Sequence, residues 1–121
     1  MNRAALTVGL LLVLAWPVST TTPLVVRVAP QGIASAPASL SIYATVESDK
    51  DNRGLSVVAE SQDYYRSSEF DLDGDRARRT NEIVFRSLPE GQYLVTVTLL
   101  GTRGPRAVAN RWFTVTPGVG R

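Results

Sequence analysis

In two long stretches of this chain, apolar residues recur at every second position. "SLSIYATVES" places Leu40, Ile42, Ala44 and Val46 on one side of an extended backbone. "QYLVTVTLLG" does the same with Tyr93, Val95, Val97 and Leu99. Alternation of this kind marks a strand with one face in a core and the other in water, whereas a helix repeats about every 3.6 residues. No segment after Thr22 sustains a helical period. A sheet with one apolar face must cover it with another layer, so the chain is constrained to stacked sheets.

Turn chemistry divides the alternation into strands. "LVVRVAP" reads as a strand stopped by proline, and "QGIASAPA" as a loop. "DKDNRG" is a turn after the strand around Ile42, and "LSVVAES" returns as the second arm of a hairpin. "SSEFDL" is a short strand, "DGDRARR" a loop, "NEIVFRSL" a strand and "PEG" a tight turn. After the strand around Val97, "TRGPR" turns the chain into "AVANRWFTVTP". About seven short strands joined by Gly, Pro and Asp turns predict an all-β fold, an antiparallel sandwich. Residues 23–116 form its single domain, and "PGVGR", residues 117–121, is expected to be a flexible tail.

The first 22 residues have a different character. Arg3 precedes an apolar run from Ala4 to Trp16, which ends at Pro17 and passes into small polar residues. A basic start, a short apolar centre and a small-residue exit are the layout of a secretory signal peptide. The run is shorter than the roughly 20 apolar residues of a membrane span. The expectation is a helical leader over residues 1–22, cleaved between Val18 and Pro23, and a periplasmic or secreted product. Membrane contact is expected only through that leader, if it stays uncleaved.

"LPEGQYLVTV", Leu88 to Val97, resembles a segment of fibronectin type III, transthyretin-like and related bacterial immunoglobulin-like domains. The wider run from "YYRSSEFDLDGD" to "RSLPEGQYLVTVTL" looks like uncharacterised exported bacterial proteins with one immunoglobulin-like domain. The resemblance implies an immunoglobulin-like sandwich. It also implies structural roles for Leu88, Gly91 and Tyr93, with Gly91 easing the turn. Tyr93 would form a tyrosine corner, its hydroxyl bonding upstream backbone. The resemblance supplies no activity, because folds of this class serve many unrelated ends.

Composition narrows the chemistry further. The chain has no cysteine and no histidine. Disulfides, thiolate or imidazole zinc sites and histidine-based triads are thereby excluded. Lys50 is the single lysine and lies in polar "SDKDN", away from the burial that makes a lysine nucleophilic. The serines of "YRSSE" have no histidine to act as base. A formal charge of +2, with both signs interspersed along the chain, does not form the basic stripe of a nucleic-acid binder. Arg103 and Arg106 flank Gly104-Pro105 and read as a solubilising hairpin tip. No enzyme activity and no nucleic-acid partner are expected.

"FDLDGDRARRT" is the one stretch with the look of a metal loop. Counting Asp71 as the first position, Asp73, Asp75 and Glu82 fall at positions 3, 5 and 12 of a calcium-binding loop. The sixth position of such a loop needs glycine for its sharp turn, and here it is Arg76. Arg78 and Arg79 stand where the ion would be. The alternative is an Asp-Gly turn whose arginines balance its carboxylates, and this is the reading adopted. No cofactor is expected beyond the calcium of the rejected reading.

Tyr64 and Tyr65 are adjacent and must face opposite sides of a strand; the same holds for Trp112 and Phe113. With Phe113 and Val115 in the core, Trp112 faces out. Exposed Tyr and Trp are typical anchors for a partner protein or a sugar ring, which makes Tyr64, Tyr65 and Trp112 the candidate contact residues. The functional expectation is an exported, non-catalytic module acting through protein contacts in the envelope or outside the cell. The alternative is a small-ligand module, binding carbohydrate through exposed aromatics or calcium through the DLDGD loop.

Overall fold

A computed structural model describes residues 23–118. The expected leader at residues 1–22 and the last residues of the expected tail, 119–121, lie outside the described residues. Eight strands follow in order: β1 (Leu24–Ala29), β2 (Ile33–Ser35), β3 (Ala38–Val46), β4 (Gly54–Glu60), β5 (Tyr65–Asp71), β6 (Thr80–Leu88), β7 (Gly91–Gly101) and β8 (Gly104–Thr116). A single 3-10 turn, Gly74–Arg76, lies between β5 and β6. The strands form two sheets, a three-stranded one in the order β1-β3-β6 and a five-stranded one in the order β2-β8-β7-β4-β5.

Two expectations need correction. "QGIASAPA" is not wholly a loop, because it contains β2, a strand beyond the seven expected. The pairing is also not wholly antiparallel: β2 runs parallel to β8, with Ile33, Ala34 and Ser35 opposite Thr114, Val115 and Thr116. Three residues are too few to show a period, so no alternation announced the strand. Its conformation is fixed by the edge of β8 beside it, through Thr114 N–H to the Gly32 carbonyl and Ala36 N–H to the Thr116 carbonyl, each 2.8 Å.

The alternating residues meet in one core between the sheets. Leu40, Ile42 and Ala44 of β3 face Leu55 and Val57 of β4 and Tyr93, Val95, Val97 and Leu99 of β7, and all are fully buried. The two sides of the stack are finished differently. On the β5–β6 side Arg66 turns inward, donates to the Arg86 carbonyl at 3.0 Å and lies over the Phe85 ring. On the other side β1 approaches β8, and a cleft of about 500 Å³ opens between them.

The ends are tied by side chains with defined partners. The Tyr93 ring is fully buried and its hydroxyl donates to the Pro89 carbonyl at 2.7 Å, across the β6–β7 turn. Burial pushes the Tyr93 hydroxyl above its ordinary pKa. Gly91, with φ of 153°, opens β7 with its Cα hydrogens toward Ser61, whose Cβ would stand 3.2 Å from a methyl group there. Leu88, also fully buried, closes β6. At the opposite end Asn52, the one buried polar side chain among the described residues, donates to the Glu47 carbonyl at 2.9 Å and accepts from Arg106. Arg106 also pairs with Asp49 at 3.1 Å, and its Nε lies 3.8 Å from Asp51. These bonds hold the β3–β4 loop against the β7–β8 hairpin.

Candidate interaction surface

The outer face of the five-stranded sheet follows directly from strand register. Tyr65 pairs with Glu60, Glu60 with Leu94, and Leu94 with Trp112. These four side chains therefore stand in one row across β5, β4, β7 and β8, pointing away from the core. The next row outward-facing is Ser67, Val58, Thr96 and Asn110, and the one after it Glu69, Ser56, Thr98 and Val108. Thr96 and Asn110 share a hydrogen bond of 3.0 Å that fixes the middle of the face.

Two properties set this surface apart. Tyr65 is 60% exposed, Trp112 61% and Val108 57%, so three of the five large exposed apolar side chains among the described residues lie on this face. No Lys or Arg occurs in the twelve positions, and Glu60 and Glu69 are the only charges. Between the exposed aromatic rings the face carries two glutamates and no basic residue, a composition poorer in charge than ordinary solvated surface. Three strand spacings of about 4.8 Å separate Tyr65 from Trp112, so the two rings bracket a span of about 14 Å.

Tyr64 plays a different part from the one its neighbour plays. It is half-buried, and its ring packs edge-to-face on Tyr93 with centroids 6.3 Å apart and an interplanar angle of 77°. Of the three aromatic candidates, the structure brings Tyr65 and Trp112 to one face and gives Tyr64 to the core margin. Sequence reasoning did not identify Leu94, Val108 or the row itself, since these depend on cross-strand register.

The acidic candidates are divided between the two sheets. Asp71 ends β5, opposite Gly54 of β4, whereas Glu82 lies on β6, opposite Tyr43 of β3. Asp73 and Asp75 are exposed on the link between them. Among the described residues, no three of His, Cys, Asp and Glu come together as a group that would hold a metal ion. The stretch instead extends the β4–β5 ladder. Leu72, buried, donates its N–H to the Arg53 carbonyl at 2.9 Å, and Gly74 donates to the Asn52 carbonyl at 2.9 Å.

No protein family matches the chain, and neither does any curated protein. Among solved structures the chain is similar to one described as "Myokine structure", with 18% identity and a TM-score of 0.51. The alignment covers 82% of this chain and 99% of that one. At this identity the likeness concerns the fold alone.

Proposed function

We propose that this chain is an exported, non-catalytic module with an immunoglobulin-like sandwich, periplasmic or secreted, that docks a protein partner through the outer face of its five-stranded sheet. The carrying observation is the row Tyr65–Glu60–Leu94–Trp112, which ends in an exposed aromatic ring on each side. A few aromatic anchors supply most of the affinity in many protein contacts. The leader-like residues 1–22 support export. The sheet orders β1-β3-β6 and β2-β8-β7-β4-β5, with the buried Tyr93 bonded to Pro89, support the immunoglobulin-like assignment. The absence of His and Cys from the sequence supports a binding rather than a catalytic role.

The test is the behaviour of the protein in envelope and culture-medium fractions. Wild type should migrate within an assembly larger than a single copy of the exported domain. The double variant Tyr65→Ala, Trp112→Ala should migrate alone with an unchanged melting temperature. Assembly unaffected by the double variant, or a hydrolase activity lost on changing one carboxylate, contradicts the proposal. Quenching of Trp112 fluorescence by an oligosaccharide would transfer the same face to the carbohydrate alternative.

A further inference from the structure

β8 is thirteen residues long, and β2 covers only its last three. Main-chain groups of alternate strand residues point to opposite neighbours. Thr114 N–H and the Thr116 carbonyl point to β2. The β7–β8 register runs without a break from Ala107 to Val115. Counting back by twos, Trp112, Asn110 and Val108 therefore direct their N–H and C=O groups to the same open side. None of the three makes a main-chain bond outside the sheet ladders. The Asn110 carbonyl is met instead by the guanidinium of Arg111, at 2.7 Å.

The chain vacates this edge because it crosses between sheets. After β1 of the three-stranded sheet it crosses through Gln31 and Gly32 and reaches β8 only at Ile33. The crossing leaves the cleft lined by Val25, Val28, Gln31, Gly32, Arg111 and Trp112. The charged residues around it are Arg27 and Arg111, with no carboxylate. Among the described residues both ion pairs belong to Arg106, so neither of these arginines has an acidic partner. Arg27 lies over the Tyr43 ring at 4.3 Å.

We infer that the edge of β8 from Val108 to Trp112 accepts an extended, acidic segment of a partner protein as an added strand in line with β2. A row of edge-facing N–H and C=O groups, of which only the Asn110 carbonyl has a partner among the described residues, specifies an extended backbone, as in known strand-addition complexes. The cleft beside it admits apolar side chains, and the unpaired guanidiniums favour Glu or Asp over Lys or Arg. On docking, an incoming N–H takes the Asn110 carbonyl and an incoming carboxylate takes the released Arg111 guanidinium, so each group exchanges one partner for another. The opposite edge is less open, because Arg66 turns inward there and ties β5 to β6. A second copy of this chain would instead bring Arg111 toward basic groups of the same edge.

This inference rests on the docking reading and specifies how part of the partner is held. The test is amide exchange of the exported domain with a capped peptide of alternating valine and glutamate, and with its valine–lysine counterpart. The glutamate peptide should slow exchange at Val108, Asn110 and Trp112 by about tenfold or more, and the lysine peptide should not. Asn110→Pro removes one edge-facing N–H and the side-chain bond from Thr96 while leaving the main-chain ladder to β7, and should abolish the protection without loss of the folded spectrum. Asn110→Ala, which loses the Thr96 bond alone, should keep the protection. Should the proline variant fail to fold, Arg111→Glu provides the second arm and should reverse the preference toward the lysine peptide. Equal response to both peptides, no protection at millimolar peptide, or protection that rises with protein concentration alone overturns the inference. If an aromatic-face variant abolishes partner assembly while the edge amides stay unprotected, the docking reading stands and the edge assignment falls.

Discussion

The Tyr93 hydroxyl and the Pro89 carbonyl are joined by a hydrogen bond of 2.7 Å that spans the β6–β7 turn, with the tyrosine ring wholly inside the core. Tyr93→Phe keeps the ring and removes the bond, leaving a turn carbonyl without its protein donor. The expected loss is about 1–2 kcal/mol, read as a lowered denaturation midpoint at constant slope. Burial raises the folded-state pKa of this phenol above its ordinary value near 10. The folded state therefore holds the proton more tightly. That contribution is fully present below the unfolded pKa and is lost as pH rises toward the folded one. Wild type should lose stability above about pH 10, and the phenylalanine variant should lose less over the same range.

Gly74 is buried with φ of 55°, and a Cβ added there would lie 3.0 Å from the Lys50 carbonyl oxygen. Gly74→Ala should destabilise the fold by about 1–3 kcal/mol, since it combines a left-handed backbone with contact against main chain. The check is the urea midpoint. An unchanged midpoint would contradict the placement of "LDGD" against the β3–β4 loop.

Asp51 accepts the Thr102 N–H at 3.0 Å and the Thr102 hydroxyl at 2.9 Å. These two bonds, the backbone one first, hold its carboxyl below the usual aspartate value of 3.8, and the Arg106 charge adds to them. A depressed folded pKa stabilises the fold above the unfolded value and ceases to do so as pH falls through the folded one. Melting temperature should therefore drop through the region below pH 3.8. In Asp51→Asn, the drop should be shallower and the starting stability lower.

The four carboxylates once read as calcium positions give a further check. Because Glu82 lies on the other sheet from Asp71, millimolar calcium should leave the melting temperature unchanged. EDTA should do the same. A calcium-dependent rise that disappears in Asp73→Ala would require the link between β5 and β6 to rearrange around an ion.

Sequence patterning revealed the strands whose apolar residues alternate over many positions, as in β3 and β7, because burial of one face writes a period of two into the chain. It also placed Trp112 outside, by parity with Phe113 and Val115. β2 left no such trace: its three residues have a conformation imposed by β8. The role of the aspartates was only half legible. Asp-Gly announced a turn, but the bonds from Leu72 and Gly74 to the β3–β4 loop depend on residues about twenty positions away. The proposed docking face was least visible. Leu94 and Val108 join Trp112 only when β7 and β8 are set in register, and Tyr65 joins them through β4.

The docking face can be tested most directly by placing a photoactivatable phenylalanine analogue at position 65 or 112, and at position 43 or 84 on the outside of the three-stranded sheet. After irradiation in the exporting cell, positions 65 and 112 should yield an adduct with the same protein, and positions 43 and 84 should yield none. Equal labelling from both sheets, or no adduct from 65 and 112 while the domain is folded and exported, would contradict the account.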